Sequence, residues 1–138
     1  MLASIKVRDY MAKSLITLRP HMELFQAISI LEGNRITAAP VVDDEGDLVG
    51  ILSEGDCLKA IINSVYYKEA GGKVSDYMTL QVETVGPEDD ILDIAVSFNT
   101  KRRGRYPVIQ DGLLVGLISQ RDILRAVKDI TQNPKHGS

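Results

Sequence analysis

Apolar and polar positions along this chain follow two periods, and the order of those periods occurs twice. Short extended runs come first, at 15–18 (Leu-Ile-Thr-Leu) and 82–85 (Val-Glu-Thr-Val). Pro20 and Pro87 close them, and the acids within three positions of each proline suit a helix amino terminus. Leu24, Ala27, Ile28 and Leu31 then recur at helical spacing, as do Ile91, Ile94, Ala95 and Phe98. Each set predicts an amphipathic helix with that stripe in the core. Two strands follow in each case. The first pair is 38–42 and 48–52, flanking Asp44-Glu45-Gly46-Asp47; the second is 106–109 and 113–118, flanking Asp111-Gly112. An Asp-Gly pair between apolar runs predicts a hairpin. A last helix begins at Ser53 or Ser119, with Leu58, Ile61 and Ile62, or Ile123, Leu124 and Val127, expected to face the core.

The chain is therefore written twice. Lys6-Val7-Arg8-Asp9-Tyr10-Met11 recurs as Lys73-Val74-Ser75-Asp76-Tyr77-Met78, 67 positions later. The same shift carries Thr17 to Thr84, Pro20 to Pro87, Pro40 to Pro107 and Val41 to Val108. One residue is lost in the turn, and a shift of 66 then carries Gly50 to Gly116, Ser53 to Ser119 and Asp56 to Asp122. The copies run over 6–66 and 73–128, with a linker at 67–73 and a polar tail at 129–138. The expected fold class is α+β, two tandem β-α-β-β-α repeats. A half of about 60 residues struggles to bury its own sheet face, so the halves are expected to pack on each other.

Composition narrows the function. The 138 residues are 44% hydrophobic and 25% charged with a net charge of −3, too apolar and too nearly neutral for a disordered chain. One cysteine excludes an intrachain disulfide. No run approaches the roughly 18 apolar residues of a membrane span, and the charged amino terminus lacks a signal peptide's apolar core. A cytoplasmic protein with no membrane partner is expected. With 16 basic against 19 acidic side chains, general nucleic-acid binding is disfavoured. The halves differ, however. Residues 1–70 hold 7 basic and 10 acidic side chains, whereas 71–138 hold 9 of each.

The Pro-Val strands (Pro40-Val41 and Pro107-Val108) and the paired Gly-x-x-Ser-x-x-Asp blocks at 50–56 and 116–122 resemble the cystathionine-β-synthase (CBS) domain family. Two tandem copies resemble the Bateman module, and the likeness covers 6–128. It implies a pseudo-twofold pair packed through its sheets that regulates rather than catalyses. The implied ligand is an adenine nucleotide (AMP, ADP or ATP) or S-adenosylmethionine, held as a regulatory ligand and not as a required cofactor. By that likeness Asp56 and Asp122 accept hydrogen bonds from ribose hydroxyls, and Ser53 and Ser119 contact the ribose or phosphate. Thr17 and Thr84 lie beside the phosphate or sugar. The backbone at Ala38, Ala39 and Pro40, and at Arg105, Tyr106 and Pro107, lines the adenine pocket. A homodimer packed through its helices and an effector protein yet to be identified are implied too.

Chemistry supports these residue types independently. A carboxylate is acceptor-only, so it can take both hydroxyls of a cis-diol, and a helix amino terminus favours phosphate. A bare backbone at Gly50 or Gly116 permits close approach of a neighbour or ligand. Two readings of Ser-x-x-Asp stand side by side, since the same spacing makes a capping box at a helix start. The cluster Lys101, Arg102, Arg103 and Arg105 likewise reads as a phosphate grip or as a solvated basic loop. As a grip it would use Arg103 and Arg105, helped by Arg121, and would make Asp122 weigh more than Asp56. Contact of 101–105 with RNA or DNA is the weakest alternative, set against the acidic total. Cys57 stands where the other copy has Ile123, which predicts apolar packing. His21 and His136 have no paired ligand spacing, no Gly-rich phosphate loop occurs, and no nucleophile-base-acid set stands out. Catalysis and a metal site are not expected. The competing function is a ligand-free dimerisation and interaction module.

Overall fold

The computed structural model describes residues 5–66, 71–101 and 104–132. In chain order the helices and strands begin with α1 (Val7–Tyr10), α2 (Leu24–Gly33), β1 (Ala38–Val42), β2 (Leu48–Ser53) and α3 (Glu54–Tyr66). They continue with α4 (Val74–Tyr77), α5 (Ile91–Lys101), β3 (Arg105–Gln110), β4 (Leu113–Ser119) and α6 (Gln120–Gln132). Among the described residues no helix is long and apolar enough to cross a membrane.

Two compact units form, and they do not follow the sequence repeat. A central unit spans 16–82; a bipartite unit combines 1–15 with 83–138. The reason is an exchange of leaders. In the bipartite unit Val7 N–H donates to the Asp89 carbonyl and Arg8 N–H to the Pro87 carbonyl, each at 2.9 Å. Ala12 and Leu117 exchange two backbone bonds, at 2.8 and 3.0 Å. In the central unit Val74 N–H donates to the Met22 carbonyl and Ser75 N–H to the Pro20 carbonyl, while Thr79 and Ile51 exchange two bonds. So the leader preceding each repeat completes the other repeat's core, where Val7 and Val74 are fully buried. Each leader is a single helical turn whose own acid caps it: Lys6 N–H donates to Asp9 Oδ2 and Lys73 N–H to Asp76 Oδ2. An ion pair from Lys6 to Asp90 (2.7 Å) and another between Arg8 and Glu88 fasten the first leader further.

Each unit holds one antiparallel ribbon, β1 with β2 and β3 with β4. The β3–β4 turn is Asp111-Gly112, with φ of 53° and 84°, the two positive angles that a tight hairpin of this type requires. The expected first strands reduce to single parallel bridges, Leu18 to Val41 and Val85 to Val108. Prolines explain this. Leu18 N–H donates to the Pro40 carbonyl and Val42 N–H to the Leu18 carbonyl, both at 2.9 Å. One step further along needs an N–H at position 20, and one step back needs an N–H at position 40; both are proline. Pro87 and Pro107 stop the Val85 bridge in the same way.

The first helices bury most of the expected stripes, with Leu24, Ala27 and Leu31 in α2 and Ile91, Ile94 and Phe98 in α5, while Ile28 and Ala95 are partly buried. The last helices depart from expectation. In α3 the core face is Asp56, Cys57 and Ala60, while Leu58, Ile61 and Ile62 are 59%, 39% and 51% exposed. In α6 Ile123, Ala126 and Ile130 are buried, but Leu124 and Val127 face outward. Small side chains at 57 and 60 let α3 lie close on its ribbon, and the larger apolar residues form a second stripe on the far side.

Candidate functional site

The open end of each ribbon, away from its turn, gathers the candidate residues. In the central unit Ala38 lies opposite Ser53 in the strand register, and Ser53 leads directly into α3. The Leu18–Val41 bridge sets exposed Thr17 beside Pro40. Glu54 N–H donates to the Thr37 carbonyl (2.9 Å), closing strand start onto helix start. In the bipartite unit Arg105 lies opposite Ser119, and the Val85–Val108 bridge sets Thr84 beside Pro107. Thr17, Ala38, Ala39, Pro40, Ser53 and Asp56 are thus brought together in one unit. Thr84, Arg105, Tyr106, Pro107, Ser119 and Asp122 are brought together in the other.

Both capping boxes are complete. Asp56 Oδ2 accepts from Ser53 N–H (2.9 Å) and from the Ser53 hydroxyl (2.9 Å), and Asp56 N–H donates to Ser53 Oγ at 3.2 Å. Asp122 Oδ2 accepts from Ser119 N–H (2.9 Å) and the Ser119 hydroxyl (3.0 Å). Asp122 N–H donates back to Ser119 Oγ at 3.3 Å. Both carboxylates are nearly buried, 9% and 8% exposed, and each is ordered by its own helix start.

The two carboxylates differ in their remaining contacts. Asp56 Oδ2 takes a third donor, the Thr79 hydroxyl at 3.5 Å, and among the described residues every bond to this carboxylate falls on that one oxygen. Ala12 holds the equivalent place in the other leader, so Asp122 has no such partner there. Instead Arg125 reaches Asp122 Oδ1 at 3.1 Å. Its other nitrogen donates to the Tyr10 carbonyl (2.8 Å), and its guanidinium lies over the Tyr10 ring at 5.3 Å. Neither Thr79 nor Arg125 stands inside a recognisable motif. Thr79 is one residue past the repeated Met78, and Arg125 is three past the aspartate, a spacing that would have flagged it as a helix ion pair.

Other candidates resolve individually. The Tyr106 side chain is 1% exposed, stacked on Phe98 with centroids 4.9 Å apart, and its hydroxyl bonds Ser97 at 2.6 Å. Only its backbone faces the ribbon end. Arg121 is exposed on α6. Of the basic cluster, Lys101 pairs with Glu83 at 2.9 Å, while Arg103 lies outside the described residues, as does His136. Cys57 is buried, and burial, then Asp56 and Glu54, push its thiol pKa up, as apolar packing predicts. Gly50 and Gly116 admit a neighbour. A Cβ on Gly50 would stand 2.8 Å from Met78 Sδ and 2.9 Å from the Thr79 carbonyl; one on Gly116 would meet Met11 and the Ala12 carbonyl.

The geometry therefore sets two nearly buried carboxylates, each at a helix amino terminus, beside the strand ends that begin at Ala38 and Arg105. Comparison with known proteins gives this arrangement a setting. The chain is similar to CBSX2 of Arabidopsis thaliana in complex with AMP, at 27% identity and TM-score 0.81 over 91% of this chain and 98% of that one. It is similar to the CBS domain pair of MJ0100 in complex with 5′-methylthioadenosine and S-adenosylmethionine, at 27% identity and TM-score 0.74 over 90% and 96%. An uncharacterized Methanocaldococcus jannaschii protein, MJ1225, is 29% identical over 86% of this chain and 41% of its own length. The chain spans less than half the length of the curated relatives it matches first. The CBS domain model matches at 7–63 and again at 74–129, so most of the chain is accounted for, and the protein belongs to the CBS domain family as a tandem pair.

Proposed function

We propose that this CBS pair is a regulatory module that binds an adenosine ligand and passes its occupancy to a partner protein, without catalysing a reaction. The observation that carries this reading is the pair of nearly buried carboxylates at helix starts, each next to the open end of its ribbon. A ribose cis-diol matches a carboxylate acceptor, and the α3 and α6 amino termini favour the phosphate. The relatives solved with AMP and with S-adenosylmethionine support the ligand class. Ser53, Ser119, Thr17, Thr84 and the backbone at 38–40 and 105–107 would line the ligand, with Arg105 and Arg121 as anion contacts. We place this activity in the cytoplasm and in a homodimer packed through outward helix faces, where Phe25, Leu58, Ile62, Leu92, Val96 and Leu124 are exposed.

The hydrogen bonds favour the central unit as the stronger site, the reverse of what the basic cluster suggests. Among the described residues no hydrogen bond falls on Oδ1 of Asp56, whereas Arg125 occupies Oδ1 of Asp122. Calorimetric titration with AMP, ATP and S-adenosylmethionine tests the reading. At least one ligand should bind in the micromolar to millimolar range, and Asp56→Ala should weaken it more than Asp122→Ala. Flat titrations to millimolar ligand for all three would overturn the ligand reading and leave the ligand-free interaction module.

A further inference from the structure

We infer that Tyr10 and Asp129 are positioning residues for Arg125, and that through it they set how strongly the bipartite site prefers a phosphorylated adenosine ligand over an unphosphorylated one. This rests on the ligand reading above and adds the residues that make the two sites differ. Asp122, Arg125 and Asp129 stand at i, i+3 and i+7 along α6 and so share one face. Tyr10, the last residue of α1, meets that face. Its hydroxyl donates to Asp129 Oδ2 at 2.8 Å, and its carbonyl accepts from Arg125 Nη2 at 2.8 Å. The guanidinium lies over its ring at 5.3 Å, while Arg125 Nη1 reaches Asp122 Oδ1 at 3.1 Å. Contacts therefore run from the site carboxylate to Asp129 through one half-exposed arginine and one tyrosine of the exchanged leader.

A half-exposed arginine gives up much rotamer freedom to hold one pose, and a lone ion pair at that exposure offsets little of the loss. Here a carboxylate, a carbonyl and a ring face fix the guanidinium, and the ring is itself oriented by a bond to an ionised acceptor. Asp122 and Tyr10 engage two of the five N–H donors, so an anion can bind the guanidinium without breaking either contact. A diol has to compete with it for Asp122. The central unit supplies the contrast within the same chain. The repeat places Tyr77, Lys59 and Asn63 where the bipartite unit has Tyr10, Arg125 and Asp129. Asn63 Nδ2 donates to the Tyr77 hydroxyl at 3.5 Å, a longer contact of opposite direction, and a lysine has no planar head to lay on a ring. The tyrosine is common to both units, whereas the cation and the tyrosine's partner change together.

Calorimetric titration of the full chain with adenosine and with AMP tests this, in an Asp56→Ala background that removes the central carboxylate. Asp129→Ala and Tyr10→Phe should each lower the AMP-to-adenosine affinity ratio about fivefold, the worth of one such hydrogen bond. The double variant should lower it no further. With Arg125→Gln added, Asp129→Ala should leave the ratio where it stands, which a merely structural role would not require. Tyr10→Phe keeps the ring and its packing, so one arm survives if Asp129→Ala misfolds. Both affinities moving by one factor, a ratio that rises, or an effect of Asp129→Ala that persists without Arg125 overturns the positioning role and leaves the ligand reading intact. Binding by the parent but not by the Asp56→Ala protein also overturns the inference alone. A parent that binds neither of these ligands, nor ATP, nor S-adenosylmethionine, overturns the inference and the ligand reading together.

Discussion

Replacing Gly50 with alanine probes the exchanged leader at its tightest point. The new methyl would stand 2.9 Å from the Thr79 carbonyl oxygen and 2.8 Å from Met78 Sδ. The methionine can swing away, but the carbonyl cannot, because Thr79 and Ile51 exchange two backbone bonds at 2.8 and 3.0 Å. Overpacking of this kind costs about 1–3 kcal/mol. Relieving it strains both hydrogen bonds, each of net worth about 1 kcal/mol. We expect Gly50→Ala to lose about 2–4 kcal/mol, lowering the melting temperature by about 6–12 °C at this chain length. Gly33 is the control: it ends α2 with nothing within 4 Å of a built Cβ. There alanine should gain about 0.5–1 kcal/mol by helix propensity. Equilibrium urea unfolding followed by far-ultraviolet circular dichroism reads both. A Gly50→Ala protein within about 0.5 kcal/mol of the parent would refute the close contact and with it the placement of residues 78–79 on β2.

Further outcomes follow from the same contacts. Ser53→Ala and Ser119→Ala should each cost about 1 kcal/mol through the lost cap, measured by urea unfolding without ligand. Tyr106→Phe should cost about 1 kcal/mol by leaving the Ser97 hydroxyl without its partner, while leaving adenosine-ligand affinity unchanged, since the Tyr106 side chain points into the core. Burial, and then the bond to Asp129, raise the Tyr10 pKa above 10.0. A raised folded-state value means a contribution fully present below pH 10 and lost as pH climbs through the folded value. The drop in urea midpoint between pH 9 and pH 11 should therefore be smaller in Tyr10→Phe than in the parent. Cys57 should react with a disulfide reagent more slowly in the native protein than in urea, and equal rates would show the thiol to be open.

The order of elements and the location of the candidate site were legible because both rest on local chemistry. Asp111-Gly112 dictates its turn by backbone angles that few other residues accept, and Ser-x-x-Asp caps the helix it begins. Two things were not legible, for physical reasons. A leader such as 6–11 carries the same pattern whichever core it enters, and only the chain path decides that Val7 packs with Ile91 and not with Leu24. Periodicity also does not say which of two apolar stripes on one helix faces inward. Leu58, Ile61 and Ile62 are larger than Cys57 and Ala60, so size alone predicts them as core, yet the ribbon takes the smaller pair.

Equal motifs with unequal surroundings are the main consequence for function. The two Ser-x-x-Asp boxes match to within 0.1 Å in their own hydrogen bonds, so the repeat itself gives no reason for the sites to differ. The difference comes from the leaders and from one helix neighbour. Thr79 backs Asp56 from the side already bonded, and among the described residues nothing bonds the other oxygen, whereas Arg125 covers the corresponding oxygen of Asp122 and anchors itself on Tyr10. A ligand entering at Asp122 must displace or share that guanidinium. A diol would have to compete with a charged donor there, while a phosphate would gain from it. Arg125→Gln separates the two effects: nucleoside affinity at the bipartite unit should rise toward that of the central unit, and nucleotide affinity there should fall. A parallel rise or fall of both would show that Arg125 only orders the carboxylate.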